Sequence, residues 1–412
     1  MDDRMDFFNV ITVERAKGLL EEVFASMRLP REEVPLSEAY DRILAYDYIA
    51  EADVPEFNRS TVDGYAVRSK DTFGATESVP SLLDLVGKVP MGEKTELSIG
   101  SGEAVYVPTG GMLPDGADAM VMIENSQKLE GGIVAINKAA HPASSVIFAG
   151  DDLKKGDVLM PQGRRIDPLD IGVLASAGLG KVLVYGKARV FIISTGDEVM
   201  DMDGDLPFGK IRDINGYALA SFIRKSGGIV SGKAIIHDNY DALRDQIEKA
   251  LAISDIVLIS GGSSVGEKDF TYKAINSFDG QGVFIKGIAV KPGKPTIVGE
   301  AMGKPVFGLP GHPVSAIIAY KLLVEHLLMQ LTGAQSQETT VKASLTTNFH
   351  SSPGKLTCQL VRLVVEEGIL KAVPIFGKSG LISQLARASG YIKIDEDTEG
   401  LDEGEMVEVF IL

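Results

Sequence analysis

Hydrophobic residues recur at helical spacing in "ITVERAKGLLEEVFASMRL" (residues 11–29), where Val13, Ala16, Leu19, Leu20 and Val23 share one face. Pro30 and Pro35 then end the element. From about 46 to 145 the pattern shortens to β-type runs, "EAVYV", "AMVMIE" and "GIVAIN", divided by Gly, Pro and Asp. Residues 146–180 return to mixed character, and "DPLDIGVLASAGL" reads as a helix closed by glycine. The expectation is a discontinuous N-terminal or linker domain, 1–45 with 146–180, carrying 46–145 as an inserted β-rich domain.

Residues 181–333 alternate strand and helix. "ARVFIIS", "IVSGKAII" and "DIVLIS" read as strands, and "GYALASFIRKSGG" as a helix with a glycine stop. "NYDALRDQIEKALAIS" sets Leu243, Ile247 and Leu251 on one helix face, and "HPVSAIIAYKLLVEHLLMQLTG" is a long final helix. Such alternation predicts a parallel sheet with helices on both faces. After Gly333 the chain is β-rich to its end, which predicts a separate β domain over 334–412. The fold class expected is therefore multidomain, α/β plus β.

The chain has 412 residues, too many for one core. Its 45% hydrophobic and 24% charged residues are ordinary for a globular protein and argue against disorder as the main state. A net charge of −16 opposes broad contact with nucleic acid or anionic lipid, though not capture of a small anion by cations gathered locally. Cys358 is the sole cysteine, so no intrachain disulfide or Cys-based zinc site can form. Five scattered histidines make no metal cage. "MDDRMDFFNV" is acidic where a signal peptide is basic, and no apolar run approaches a membrane span, which reads as a cytoplasmic protein.

Ligands of open α/β sheets sit beyond the carboxyl ends of the strands. "TGDEV", with Asp197 and Glu198, follows the first strand of 181–333, and "HDN", with Asp238, follows the second. "GGSSVGEKDF", "KPGKP" and "PGHPVSA" follow later ones. Gly261, Gly262, Ser263 and Ser264 offer consecutive N–H groups and hydroxyls for an anion. Lys291 and Lys294, split by Pro-Gly, suit an oxyanion clamp. Asp197, Glu198, Asp238 and Asp269 beside such a site suggest a divalent cation, and Mg²⁺ prefers oxygen ligands. Plainer readings stand beside these. "STGDE" also suits a helix cap with an acidic first turn, Asp238 a cap, "KPGKP" an exposed turn, His312 a structural hydrogen-bonder and Cys358 a half-buried structural residue.

A further stretch, "PEFNRSTVDGYAV" (55–67), reads alone as a hairpin at Asp63-Gly64. Together with "PTGGMLPDGADAMV", "STGDE", "GGSSVGEKDF", "KPGKP" and "GLPGHPVSA", in that order, it resembles the molybdopterin molybdenumtransferase (MoeA) family, which includes the E domain of gephyrin. The resemblance spans nearly the whole chain. It implies a MoaB/MogA-like molybdopterin-binding α/β domain, an inserted β domain, a C-terminal β-barrel-like domain and a homodimer with active sites at the subunit interface. The implied reaction joins molybdate to adenylylated molybdopterin and releases AMP with Mg²⁺.

By motif, the resemblance implies catalytic roles for Asp63 and Thr109, and an acidic, magnesium-holding set of Glu198, Asp238 and Asp269. Lys291, Lys294 and Ser315 resemble its oxyanion-binding group, and Asp152 a family acidic position. Departures are Tyr106 and Lys355 at positions where the family has arginine, Leu360 at another, His312 for a family Asn, and Ser389 for another Asn near the retained Ser383. Molybdopterin adenylyltransfer and a scaffold role are the alternatives; the long insertion and "STVDGYAV" favour metal insertion. A molybdopterin adenylyltransferase and recipient molybdoenzymes are the expected partners, with no nucleic acid and no membrane.

Overall fold

Buried strands and amphipathic helices between residues 189 and 332 build a six-stranded sheet with helices on both faces. In this computed structural model, which describes residues 10–261, 267–334 and 338–412, the sheet order is Ile229–Ile236, Arg189–Thr195, Ile256–Ser260, Lys304–Leu309, Ile297–Ala301, Gly282–Ile285. The central strands are buried on both sides, so their sequences are continuous apolar runs. Alternate residues serve opposite faces. Val190, Ile192, Ile256 and Leu258 pack with Leu219, Ala220 and Ile223 of helix Ile214–Lys225. Phe191, Ile193, Val257 and Ile259 pack with Leu243, Ile247 and Leu251 of helix Tyr240–Ile253.

The first four strands are parallel, but Ile297–Ala301 runs antiparallel to both neighbours, so the expected all-parallel sheet is corrected to a mixed one. Local turn chemistry explains the difference. Met302 and Gly303 both have positive φ, 52° and 76°, the geometry of a tight hairpin rather than a crossover.

Helix Pro313–Thr332 carries a π turn at Tyr320–Val324. It also corrects the expectation about apolar runs: its length and mean hydropathy of 1.4 match a membrane span, yet 78% of that window is buried inside the fold. It is a core helix here. The first helix is Val13–Val23, capped by Thr12. It stops before residue 29 because Arg28 Nη1 donates to the carbonyls of Ala25 and Met27, closing an irregular turn. Helix Pro168–Ser176 begins with a capping box between Asp167 and Asp170.

The last section closes into a five-stranded barrel of Leu356–Glu366, Ile369–Pro374, Thr340–Leu345, Met406–Ile411 and Gly390–Ile394, the last returning to pair with the first. Cys358 is fully buried here rather than half-buried, at 3% exposure, in the same apolar core as the helix Val13–Val23 and the main sheet.

Two compact units result, Met1–Ala45 with Gly163–Leu412, and Tyr46–Gln162. The second has its own six-stranded sheet, in the order Ala119–Met122, Gly64–Val67, Glu103–Val107, Ser81–Lys88, Ile133–Ile136, Ser126–Lys128. Apolar clusters cover both faces of that sheet. Gly64 is required at its centre, since a Cβ there would fall 2.0 Å from the Val121 carbonyl oxygen.

Candidate functional site

Because the parallel strands share one direction, Thr195, Ile236, Ser260 and Leu309 end on one rim of the sheet. The antiparallel strand starts there too, as Ile297 lies opposite Gly308. Five of the polar loops read from the sequence therefore leave from the same edge.

The first loop is firmly anchored. Val199–Met200 pairs with Ile211–Arg212, the Lys210 ammonium donates to the Asp197 carbonyl, and Arg212 Nη1 donates to the carbonyls of Asp201 and Asp203. Tyr217 donates its hydroxyl to Asp201 Oδ1 at 2.6 Å, which holds that carboxyl below its usual range and pushes the phenol up to about 12. Glu198 and Asp197 are exposed on this fixed base. Asp197 Oδ1 accepts the Asp238 backbone N–H at 3.3 Å and lies 3.1 Å from His237 Nδ1. The first two strand ends thus bring Asp197 against Asp238, with Glu198 next to Asp197 in sequence, and Thr195, His237, Asp238, Phe270 and Thr271 line a small recess.

At the third strand end, Gly261 has φ 131°, and a Cβ on it would fall 2.3 Å from the Thr195 carbonyl oxygen. Only glycine fits so close to the neighbouring strand. Gly262, Ser263 and Ser264 lie outside the described residues. Asp269 falls in the backbone of helix Glu267–Ile275, and its side chain lies outside the described ones as well.

Ser315 is buried in the first turn of helix Pro313–Thr332. His312 caps that helix without a side-chain cap bond, and its Nδ1 lies 2.9 Å from the Ser379 hydroxyl. The structural reading of His312 therefore describes it well. The loop Lys291–Pro295 is tied down by Thr296 Oγ1 donating to the Gly293 carbonyl and by the Ile288 N–H donating to the Lys294 carbonyl. Lys291 Nζ donates to Ser352 Oγ at 3.0 Å, and its backbone pairs beside the barrel strand at Thr357.

Asp63 and Thr109 meet in the other compact unit, where Asp63 Oδ1 accepts the Thr109 N–H at 3.0 Å. Tyr106 stacks edge-on against Tyr65 and carries Lys88 5.4 Å over its ring. Asp152 is exposed and bonds through its backbone to the Val54 carbonyl. In the barrel, Leu360 lies in the main apolar core and Ser389 Oγ accepts the Leu363 N–H, so both departures have structural occupations of their own.

Two residues at the rim escaped the sequence reading. Asp213 caps helix Ile214–Lys225, accepting from Gly216 N–H at 2.8 Å and from Ser194 Oγ at 3.0 Å. Asn215 donates from Nδ2 to Ser260 Oγ at 2.9 Å and to the Gly311 carbonyl at 2.7 Å. The signal is an Asp directly before an apolar helical run, which starts at Ile214, two residues ahead of the expected Gly216.

Among the described residues no group of three or more His, Cys, Asp or Glu side chains is gathered to hold a metal by itself. Exposed Asp197 and Glu198 and half-buried Asp238, on neighbouring strand ends, still fit Mg²⁺, which keeps waters and takes one or two protein carboxylates alongside substrate phosphates.

A carboxylate-bearing rim on a mostly parallel, doubly covered sheet, joined to a five-stranded barrel, defines a multidomain α/β ligand-binding protein. Residues 11–178 match the MoeA N-terminal region (domain I and II), 191–330 a probable molybdopterin binding domain, and 342–412 the MoeA C-terminal region (domain IV). The chain belongs to the MoeA family. It is 34% identical over 389 residues to a putative molybdopterin biosynthesis protein of Methanocaldococcus jannaschii, covering 92% of each chain. It is 32% identical over 405 residues to the molybdopterin molybdenumtransferase of Haemophilus influenzae, covering 97% of this chain and 98% of that one. A solved molybdopterin biosynthesis MoeA protein from Pyrococcus horikoshii overlays with a TM-score of 0.81 at 32% identity, over 98% of this chain and all of that one.

Proposed function

We propose that this protein is a molybdenumtransferase of molybdenum cofactor biosynthesis, taking molybdate and adenylylated molybdopterin to the cofactor with release of AMP. The observation that carries the reading is the rim. Asp197 and Glu198 at one strand end, Asp238 at the next and Ser315 after a third share one edge of the sheet, within the segment that matches a molybdopterin binding domain. Acids and lysines at one edge suit an anionic, phosphate-bearing substrate that arrives with a metal.

In this reading Glu198, Asp238 and Asp269 would hold Mg²⁺, which would supply charge neutralisation on the substrate's pyrophosphate. Lys294 and the buried Ser315 orient oxyanions. The pairing of Val199–Met200 with Ile211–Arg212 fixes the backbone beside Glu198. Asp63 and Thr109 form one hydrogen-bonded pair within the second compact unit. The protein works as a cytoplasmic homodimer, receiving its substrate from an adenylyltransferase and passing the product to molybdoenzymes.

The test incubates pure protein with adenylylated molybdopterin, Mg²⁺ and either molybdate or tungstate, and follows AMP and cofactor together. Stoichiometric formation of both supports the reading. AMP and cofactor at the no-enzyme level with both oxyanions would remove it. Sedimentation at micromolar concentration is expected to show a dimer, and a solely monomeric active species would remove the shared-site element.

A further inference from the structure

Asn215 joins three chain segments that are distant in sequence. It sits in the first turn of helix Ile214–Lys225, behind the Asp213 cap. Its Nδ2 donates at 2.9 Å to the hydroxyl of Ser260, the last residue of a central strand, and at 2.7 Å to the Gly311 carbonyl, just before helix Pro313–Thr332. The amide orientation is settled by chemistry: a carbonyl only accepts, so the nitrogen must face Gly311. Asn215 Oδ1 then points away from both partners, and it is buried with no donor among the described residues.

One unpaired buried acceptor offsets part of what the two donated bonds contribute to stability. What the side chain does achieve is a fixed spacing at the rim. Ser260 leads into the glycine-serine run at Gly261, and Gly311 leads into the turn bearing Ser315. Both segments were read above as ligand-binding. We infer that Asn215 is a positioning residue for the molybdopterin site, setting the separation of the Ser260 strand end and the Gly311–Ser315 helix start. The inference rests on the proposed reading of this rim as the molybdopterin site. It adds a residue that acts through its neighbours rather than by touching the reacting atoms.

The test measures anaerobic binding of metal-free molybdopterin by pterin fluorescence, with amide hydrogen exchange of the peptides holding Ser260 and Gly311–Ala316. Asn215→Ala is expected to weaken binding by about tenfold and to raise exchange in both peptides. Its melting temperature should change little, because two hydrogen bonds and one unpaired acceptor leave together. Asn215→Asp keeps the shape but sets an oxygen against the Gly311 carbonyl, so it should bind at least as poorly. Ser260→Ala should cost less, and adding it to Asn215→Ala should change nothing further, since the shared bond is already gone.

Wild-type affinity and exchange in both Asn215 variants would overturn the inference. Changed exchange with unchanged affinity would also overturn it, leaving a structural tie alone. A wild-type protein that fails to bind molybdopterin would instead overturn the reading of the rim, and this inference with it.

Discussion

Asp63 Oδ1 accepts the backbone N–H of Thr109 at 3.0 Å, joining two motif residues 46 positions apart in sequence. The Asp63 carbonyl is also used, accepting from the Ile123 N–H at 3.0 Å. Asp63 therefore both holds a loop and presents a charge. Asp63→Asn keeps an oxygen for Thr109 and removes only the charge. Turnover is expected to fall at least about tenfold in Asp63→Asn, with its melting temperature unchanged. Asp63→Ala should lose turnover and also roughly 2–4 °C of melting temperature. Wild-type turnover in Asp63→Asn would show that the residue acts only by holding Thr109.

Gly261 supplies a sharper steric test. Its φ of 131° and the 2.3 Å approach of any Cβ to the Thr195 carbonyl leave no room for alanine between two paired strand ends. Gly261→Ala should destabilise by roughly 1–3 kcal/mol and abolish molybdopterin binding. Gly172, inside helix Pro168–Ser176 with nothing within 4 Å of its Cβ direction, is the control. Gly172→Ala should be neutral or stabilising by up to about 1 kcal/mol. Denaturant titration of both variants decides, and equal stabilities would remove the steric argument.

Much of this was legible in the sequence because the signals were local. Runs such as "RVFIIST" and "IVLIS" can hardly be anything but buried strands, and the helix faces of Leu243, Ile247 and Leu251 announce themselves by spacing. Asp197, Glu198 and Asp238 followed from topology alone, since parallel strands deliver their carboxyl ends to one rim. The strand Ile297–Ala301 was invisible because its partner lies one tight turn away, and Met302 is not a usual turn residue. Asn215 was invisible for another reason. Its partners, Ser260 and the Gly311 carbonyl, are set by packing of distant segments, which no local pattern encodes. The Lys291–Ser352 bond is of the same kind.

Cys358 carries a pH prediction. Burial pushes its thiol up to about 12, and burial also raises the phenols of Tyr320 and Tyr391. A group whose folded pKa is raised contributes stability that is complete below its unfolded pKa and is lost as pH climbs toward the folded one. On the alkaline side, stability should therefore hold from about pH 7 to about pH 9 and decline from there toward pH 12. The native thiol should also resist a thiolate-specific reagent at pH 8 and react fully once the chain is unfolded. Rapid labelling of native protein would contradict the burial of Cys358.

Lys294 tests the anion side of the proposal. A chain of net charge −16 repels oxyanions at long range, although salt screens this beyond roughly 8–10 Å. Capture must come from close contacts. Around Lys294 the backbone is fixed: Thr296 Oγ1 holds the Gly293 carbonyl at 2.7 Å, and the Lys294 carbonyl accepts from the Ile288 N–H at 3.1 Å. A Cβ on Gly293 would stand 3.5 Å from the Ser315 carbonyl oxygen, so this loop passes beside the start of the core helix. Lys294→Ala is expected to raise the oxyanion or adenylylated molybdopterin concentration needed for turnover about tenfold, the size of a charged contact worth about 1.5–3 kcal/mol. Lys291→Ala should cost less, because that ammonium is directed to Ser352 on the barrel side of the loop. Lys294→Arg should rescue poorly, since a planar fork does not replace a compact ammonium. Steady-state titrations of each ligand separate these outcomes. Wild-type concentration dependence in Lys294→Ala for both ligands would reduce the loop to a turn and strip the lysine from the site.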